Sequence, residues 1–290
     1  MLRQLTNEEV LNLKKMNVEM LQDIIFLCEE NNLAWMMGGG SCLGAIRHQG
    51  FIPWDDDLDL NMPRKDAEKL KRLLERGALG FNYEYTCPNN GKDSPCMFLK
   101  VFRKGTRMVE LGQEFSEYPH GIFVDVFILD GAPSHKLVRR LKGGIANMLR
   151  LIANVVMEAK HPISDVQKEV LRYDKAVAFM MRLRRFMGHV FGVLPHRFWV
   201  DTFDSFVKDE VTDCGWVTFP AGRKLYCGEA LPASIFFPMK KSLFEGIEVN
   251  VPGRVEEYLT NLYGSNYMQI PQEDKRQKHF IVDFDLGENS

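Results

Sequence analysis

An α+β fold is the class this sequence predicts: a mixed-sheet core interrupted by a helical insertion. Three observations carry that expectation. The first 130 or so residues read helix, strand, helix, strand and then add a run of further strands. Long helical patterns fill residues 134–210, and the last eighty residues return to a mixed pattern. Three parts are therefore expected: an α+β core over 1–132, a helical insertion over 133–210, and a C-terminal α/β segment over 211–290 that completes the fold.

Residues 6–31 predict a helix. Thr6 and Glu9 have capping-box spacing, and Val10, Leu13, Leu21, Ile24, Ile25 and Cys28 recur at helical intervals. Asn31-Asn32 ends it. Residues 33–37 form a short buried strand entering Gly38-Gly39-Gly40, and Ser41 is expected to cap a helix over 42–48. Gly50 breaks that helix, and an acidic strand runs to about Met62. Pro63 suits a helix start, with the helix continuing from Arg64 to Arg76 and stopping at Gly77. Strands are predicted over 81–86, 97–103, 107–111 and 122–129, with Asp130 before Gly131 read as a turn residue. Helical stretches cover 134–160, 164–191 and 197–210. A β-rich part through 244–251, a helix over 254–263 and a polar segment over 271–279 close the chain.

The 290 residues are 45% hydrophobic and 26% charged, enough for a real core. A net charge of −2 argues against a general nucleic-acid binder. The average hides an asymmetry: residues 134–200 hold 13 Lys and Arg against 4 Asp and Glu, so that segment carries +9 and the remainder −11. The six cysteines show no CxxC pair, which favours reduced thiols in a cytoplasmic protein over a zinc site or a disulfide framework. The N-terminus is too polar for a signal peptide, and no run of 18 apolar residues exists.

The most informative stretch is GGGSCLGAIRHQGFIPWDDDLDLNM, from Gly38 to Met62. Leu58 and Leu60 alternate with Asp57 and Asp59. Side chains on a strand alternate between faces, so the leucines enter the core while the two aspartates project together, about 7 Å apart. Such a pair repels unless a cation lies between them, and oxygen-only ligands suit Mg²⁺ or Mn²⁺. Asp55 begins the run. An EF-hand loop starting there fails, because its sixth position is Leu60 and its twelfth Asp66. Asp125, the one charge in a continuous apolar strand, is the candidate third carboxylate, the other reading being an Asp paired with a buried Lys or Arg. The turn at Gly39, Gly40 and Ser41, between strand and helix, permits close approach of a phosphate, although no Gly-Lys-Ser/Thr follows.

Flanking residues have two readings each. Arg47 could clamp a phosphate or simply favour the helix C-terminus, and His48 is structural or orients a phosphate oxygen. Trp54 and Trp35 could stack on a base or face a quaternary ammonium, or pack in the core. Lys100 and Arg103, three apart on a strand, point to opposite faces, so one of them can face the site. Arg276 and His279 read from the residues alone as surface. The basic residues Lys136, Arg139, Arg140, Lys142, Arg182, Arg184 and Arg185, interleaved with apolar ones, form either a solvated helix face or a surface for anionic lipid.

The Gly38–Met62 block resembles the signature of the LicD family of phosphotransferases, in which a glycine turn, an LGA-x-RH helix and GFIPWDDD-x-D recur. HGIFVDVFILDG resembles the family's second block, and YLTNLYGSNYMQIPQEDKRQKH its C-terminal block. The resemblance implies a nucleotidyltransferase fold of the DNA polymerase β type. It also implies metal-dependent transfer of an alcohol phosphate, typically phosphocholine from CDP-choline, to a sugar of a surface glycan such as lipopolysaccharide, teichoic acid or a capsule precursor. Fukutin-type relatives use CDP-ribitol. By the same resemblance Asp57, Asp59 and Asp125 hold the metal, Asp55 is a further acidic position, Arg47 and His48 are the RH pair, and Arg276 and His279 belong to the late KR-x-x-H. The rival readings are a nucleotidyltransferase that releases pyrophosphate and a non-catalytic nucleotide- or glycan-binding protein.

Overall fold

In the computed structural model the described residues are 3–91, 94–111, 118–163, 168, 175–211, 215–273, 276 and 280–287. Helix α1 (Asn7–Glu30) opens the fold. Its start is the reciprocal cap its spacing predicts: Glu9 N–H donates to the Thr6 hydroxyl at 3.2 Å, and Thr6 N–H donates to the Glu9 carboxylate at 2.8 Å. Leu13, Met20, Leu21, Ile24 and Cys28 form its buried stripe. Strand β1 (Met36–Met37) leads into helix α2 (Gly39–Arg47), and strand β2 (Asp59–Pro63) leads directly into helix α3 (Arg64–Glu75). Helix α2 therefore starts before Ser41, with Gly38 as the flanking residue, and Ser41 lies in its first turn rather than capping it. Pro63, at φ −57° and ψ 144°, flanks α3 as expected of a residue that lacks an N–H to orphan.

Strands β3 (Tyr83–Thr86), β4 (Leu99–Arg103), β5 (Arg107–Glu110) and β6 (Phe123–Ala132) follow. The main sheet runs β1-β2-β6-β4-β3, and the far half of β6 pairs with β7 (Trp216–Thr218), which pairs with β8 (Leu231–Pro232). Only β2 and β6 run parallel among the described pairs of this sheet. Strands β9 (Lys240–Phe244) and β10 (Ile247–Val251) form a hairpin whose turn, Glu245-Gly246, has positive φ at both residues, the twist that suits a two-residue connection. Helix α8 (Val255–Tyr263) packs on α2, and strand β11 (Ile281–Asp285), which the sequence pattern did not suggest, pairs with β5.

The insertion consists of α4 (Lys136–Lys160), α5 (Lys175–Phe191) and α6 (His196–Val207), followed after β7 by the short α7 (Leu225–Gly228). Most of residues 164–174 lie outside the described residues. Ala146, Leu149 and Ala153 of α4 form a small core with Val200, Phe203 and Val207, separate from the main one and joined by Met97 and Tyr226 from the parts before and after the insertion. In contrast, Val217, Phe219, Phe236, Phe244 and Tyr258 join the main core with the first 130 residues. We propose the three-part division at 132/133 and 210/211 on this basis.

Asp130 is not a turn residue. It lies inside β6, fully buried, and both its oxygens accept from Arg64, from Nε and Nη2 at 2.7 Å each. Nη1 of the same arginine donates to Asp204 of α6 at 2.8 Å. One guanidinium thus ties α3, the sheet and the insertion together. Cys28, Cys42, Cys87, Cys96 and Cys227 are all free thiols, while Cys214 lies outside the described residues. No described helix is long and apolar enough to cross a membrane.

Candidate active site

The alternation along the acidic run appears as predicted. Leu58, Leu60 and Met62 are fully buried, while Asp59 and Asn61 line a pocket of about 830 Å³ on the other face. The strand itself begins only at Asp59, so Asp55 and Asp57 reach the same pocket from the extended segment before it. One carboxylate oxygen from each of Asp55, Asp56 and Asp57 lies within 4.8 Å of the others. Helix α1 steadies this segment: Lys14 Nζ donates to the carbonyls of Ile52 and Pro53 at 3.3 and 3.2 Å, and Asn17 Nδ2 to that of Asp56 at 3.4 Å.

The glycine turn explains itself from the same carboxylates. A Cβ on Gly39 would lie 2.5 Å from Asp59 Oδ2, and one on Gly40 would lie 2.6 Å from Asp55 Oδ2. Gly39 also has φ +40°, a conformation that costs any side-chain-bearing residue. The close approach expected for a phosphate is thus made by two aspartates at the N-terminus of α2, where the helix dipole favours negative charge. Ser41 is buried, and its hydroxyl accepts from the Asp59 N–H at 2.9 Å. It positions Asp59 and does not line the pocket. Gly39 N–H donates to the Tyr258 hydroxyl at 3.1 Å, which also accepts from Asn61 Nδ2 at 3.0 Å.

Asp125 sits one strand over. It is the register partner of Asp59 across the parallel β2–β6 pair, and Lys100 on β4 is its partner on the other side. Lys100 is buried with its ammonium 3.0 Å from Asp125 Oδ1 and 3.2 Å from the centre of the Phe123 ring. That approach is an ion pair and not a well-aligned hydrogen bond, since the same oxygen has no hydrogen-bond partner of good geometry. Lys100 does not line the pocket, contrary to the expectation that it contacts substrate. Burial pushes the Asp125 carboxyl up to about 6, opposed by Lys100 and supported by the nearby Asp57. Lys100 itself stays protonated, because Asp125 and its neighbours outweigh the cost of burying it.

The rest of the pocket is cationic and aromatic. Arg47 lines it, with Nη1 donating to the carbonyls of Tyr267 at 2.7 Å and Gln269 at 3.3 Å. Arg276 lines it as well, so the surface reading of that residue is corrected. Trp54 lies between the two, with Arg276 4.5 Å and Arg47 5.9 Å from its ring centre, so these guanidiniums occupy the ring's surroundings that a ligand cation would need. Trp35 is buried in the core. His48 follows α2 and accepts from Arg47 Nε at 3.4 Å. Burial, then Arg47 and Lys14, hold its imidazole below the ordinary value, and it does not line the pocket. His279 lies outside the described residues. The structure adds Asn61, Arg223, Tyr258 and Tyr263 to the lining. Period two from Asp59 could have found Asn61, and the tyrosines stand in the YLTNLYG segment already singled out; nothing in the sequence marked Arg223. A cavity of about 940 Å³ bordered by Tyr83, Tyr85, His161 and His196 lies elsewhere and contains none of the acidic run.

Fold and pocket together define an α+β protein with an acidic, arginine-flanked and aromatic-walled site at the junction of its glycine turn and its parallel strand pair. Comparison with known proteins narrows the class. Residues 32–107, which carry the glycine turn, α2 and the acidic run, match the family described as LicD/FKTN/FKRP, nucleotidyltransferase domain. The lipopolysaccharide cholinephosphotransferase LicD of Haemophilus influenzae is 24% identical over 264 residues, 88% of this chain and 89% of that protein. Two uncharacterized proteins, of Rickettsia prowazekii and Rickettsia typhi, are each 28% identical over shorter stretches, 40% and 37% of this chain and 40% and 35% of their own lengths. The chain thus resembles the LicD family through its glycine turn and acidic run, and resembles the Haemophilus protein along most of its length.

Proposed function

We propose that this protein is a metal-dependent transferase. In this reading it moves an alcohol phosphate, phosphocholine foremost, from a CDP-alcohol to a hydroxyl of a cell-surface glycan such as lipopolysaccharide, and releases CMP. One observation carries the reading: Asp55, Asp57 and Asp59 share a single pocket with Arg47 and Arg276. Carboxylates and arginines in one pocket suit a ligand that is itself an anion bound with a cation. The relative named for cholinephosphate transfer to lipopolysaccharide supports the choice of group and acceptor.

The donor set fits a hard divalent ion, since the acidic run offers only oxygen ligands: Asp55, Asp56 and Asp57 bring one each within 4.8 Å, and Asp59, which is not in that group, lines the same pocket as Asp55 and Asp57. Mg²⁺ or Mn²⁺ would be held by Asp57 and Asp59, with Asp125 next in the row. When bound, it would neutralise charge on the diphosphate. The chain's own residues do the remainder. Arg47, Arg223 and Arg276 supply fixed positive charge toward the diphosphate oxygens. Tyr258 and Tyr263 form an aromatic wall for the cytosine or the alcohol. The acceptor oxygen bonds to the phosphorus bearing the alcohol as the bond from that phosphorus to the bridging oxygen breaks, and CMP leaves with the electron pair. Asp55 or Asp125 takes the hydroxyl proton.

The test is CMP release from a panel of CDP-alcohols with Mg²⁺ and a lipopolysaccharide acceptor. Acceptor-dependent CMP release is expected. Pyrophosphate release from a nucleoside triphosphate, without turnover of any CDP-alcohol, would overturn the reading.

A further inference from the structure

We propose that helix α5, together with the outer face of α4, docks this protein on an anionic phospholipid surface. The observation is that α5 leaves an apolar face exposed while two arginines lie on its packed side with Met181 and Phe191. Its packed side carries Arg184, Arg185 and Gly188. Arg185 Nη1 donates to the carbonyls of Glu158 and His161 at 2.7 and 2.9 Å, and Arg184 Nε donates to the Glu158 carboxylate at 2.9 Å. Gly188 is the only residue of α5 that is fully buried among those described, and a Cβ there would lie 2.0 Å from the Val155 carbonyl.

The exposed apolar residues lie on the opposite side. Phe179, Leu183, Phe186 and Val190 follow one another at spacings of four, three and four, which places them on one helical face. They are 65, 42, 66 and 53% exposed. Lys175, Arg182 and His189, each seven apart, form an exposed line beside that face. Helix α4 adds a second exposed apolar row at Leu137, Leu141, Ile145 and Met148, beginning beside the exposed Lys136 and Arg140. Leaving such apolar helix rows in water is unfavourable, and exposed apolar faces mark an interaction site.

Charge selects the occupant. Across described residues 134–163 and 175–200 the sole acidic residue is Glu158, and Arg184 holds it; Asp165, Glu169 and Asp174 lie outside the described residues, and the segment 134–200 still carries +9. A second copy of this face would bring like charges together, whereas an anionic lipid surface complements the basic line while its acyl region takes the aromatic and aliphatic side chains. No described helix can cross the bilayer, so the helices would lie in the interface plane. The inference stands on the surface of the insertion and does not depend on the reaction proposed above.

The experiment is cosedimentation of the whole chain with vesicles of phosphatidylcholine alone or of phosphatidylcholine mixed with phosphatidylglycerol. Binding is expected only with phosphatidylglycerol and should weaken as salt rises. The pairs Phe179→Ser with Phe186→Ser, and Lys175→Glu with Arg182→Glu, change exposed positions, so their thermal unfolding should match the parent. Each pair should weaken vesicle binding by about tenfold or more. The proposal is overturned if the parent protein does not sediment with phosphatidylglycerol vesicles, or if neither pair of substitutions changes binding. It is also overturned if ultracentrifugation without lipid shows self-association that the phenylalanine substitutions abolish.

Discussion

Asp59 and Asp125 face each other across the parallel pair β2–β6, and Lys100 extends the same row onto β4. The acidic run is thereby joined to the sheet at one register position. Asp59 meets the pocket, and Asp125, one strand further in, is neutralised from behind by a buried ammonium.

Asp57→Asn and Asp59→Asn each keep the size of the side chain and remove its charge. Both carboxylates stand at the pocket and not in the core. Loss of kcat on the order of a thousandfold is expected for each, with a thermal unfolding midpoint close to the parent's. CMP release and a melting curve on the same preparation check this, and near-parental turnover in either variant would remove the site.

Lys100→Met tests the row from the other end. The Asp125 carboxyl sits at about 6, raised by burial against the opposing pull of Lys100. If Asp125 receives the acceptor proton, kcat/KM should rise with pH to a limb near that value and level off above it. Removing the ammonium should move the limb upward by about 1–3 pH units. The stability sign follows. A carboxyl whose folded value lies above its unfolded 3.8 favours the folded state when protonated, so its contribution declines as pH rises from about 4 to about 6. In the Lys100→Met protein the decline should continue to higher pH. A limb that does not move would assign the proton to Asp55.

The Arg64–Asp130 pair is a stability prediction. Arg64→Met leaves buried Asp130 with the Asp209 N–H but without its two guanidinium donors, and removes the link to Asp204. Removing one partner of a buried pair costs about 3–5 kcal/mol, which urea titration should read as an earlier midpoint. A shift of less than 1 kcal/mol, by the usual scale for surface pairs, would mean that the network does not anchor the insertion.

Gly39→Ala and Gly40→Ala should differ. At Gly39 the new Cβ meets Asp59 and the backbone has φ +40°, so both activity and stability fall, the latter by about 1–3 kcal/mol. At Gly40 the only near group is the end of the Asp55 side chain, which can swing aside. That variant should keep its melting temperature while its KM or kcat changes. Equal stability losses in the two would contradict the geometry.

His48 should titrate below its ordinary 6.5, because burial, Arg47 and Lys14 all disfavour its charged form. The unfolded chain then takes up the proton first, so this residue's contribution to stability is lost as pH falls below about 6.5. Imidazole NMR signals followed through the titration, with His48→Gln for assignment, measure it directly. A midpoint above 6.5 would reverse the sign.

Much of the site could be read from the chain because it rests on local rules. The capping box at Thr6 and Glu9, the start of α3 after Pro63, and the split of Leu58 and Leu60 from Asp57 and Asp59 all follow from spacings of two to four residues, which backbone geometry alone imposes. The family resemblance was legible for the same reason: its longest block is contiguous. What each polar residue touches was decided elsewhere. Ser41 looked like a cap and became the acceptor for Asp59; Asp130 looked like a turn and became the partner of Arg64, 66 positions away. Lys100 looked like a ligand contact and neutralises Asp125. For α5 the sequence left two readings, a solvated face or a lipid-facing surface, since periodicity marks a stripe but not the side on which the neighbour lies. Local pattern depends on a few adjacent dihedrals, whereas partners are chosen by strand register and packing across the whole chain, and those exist only once it has folded.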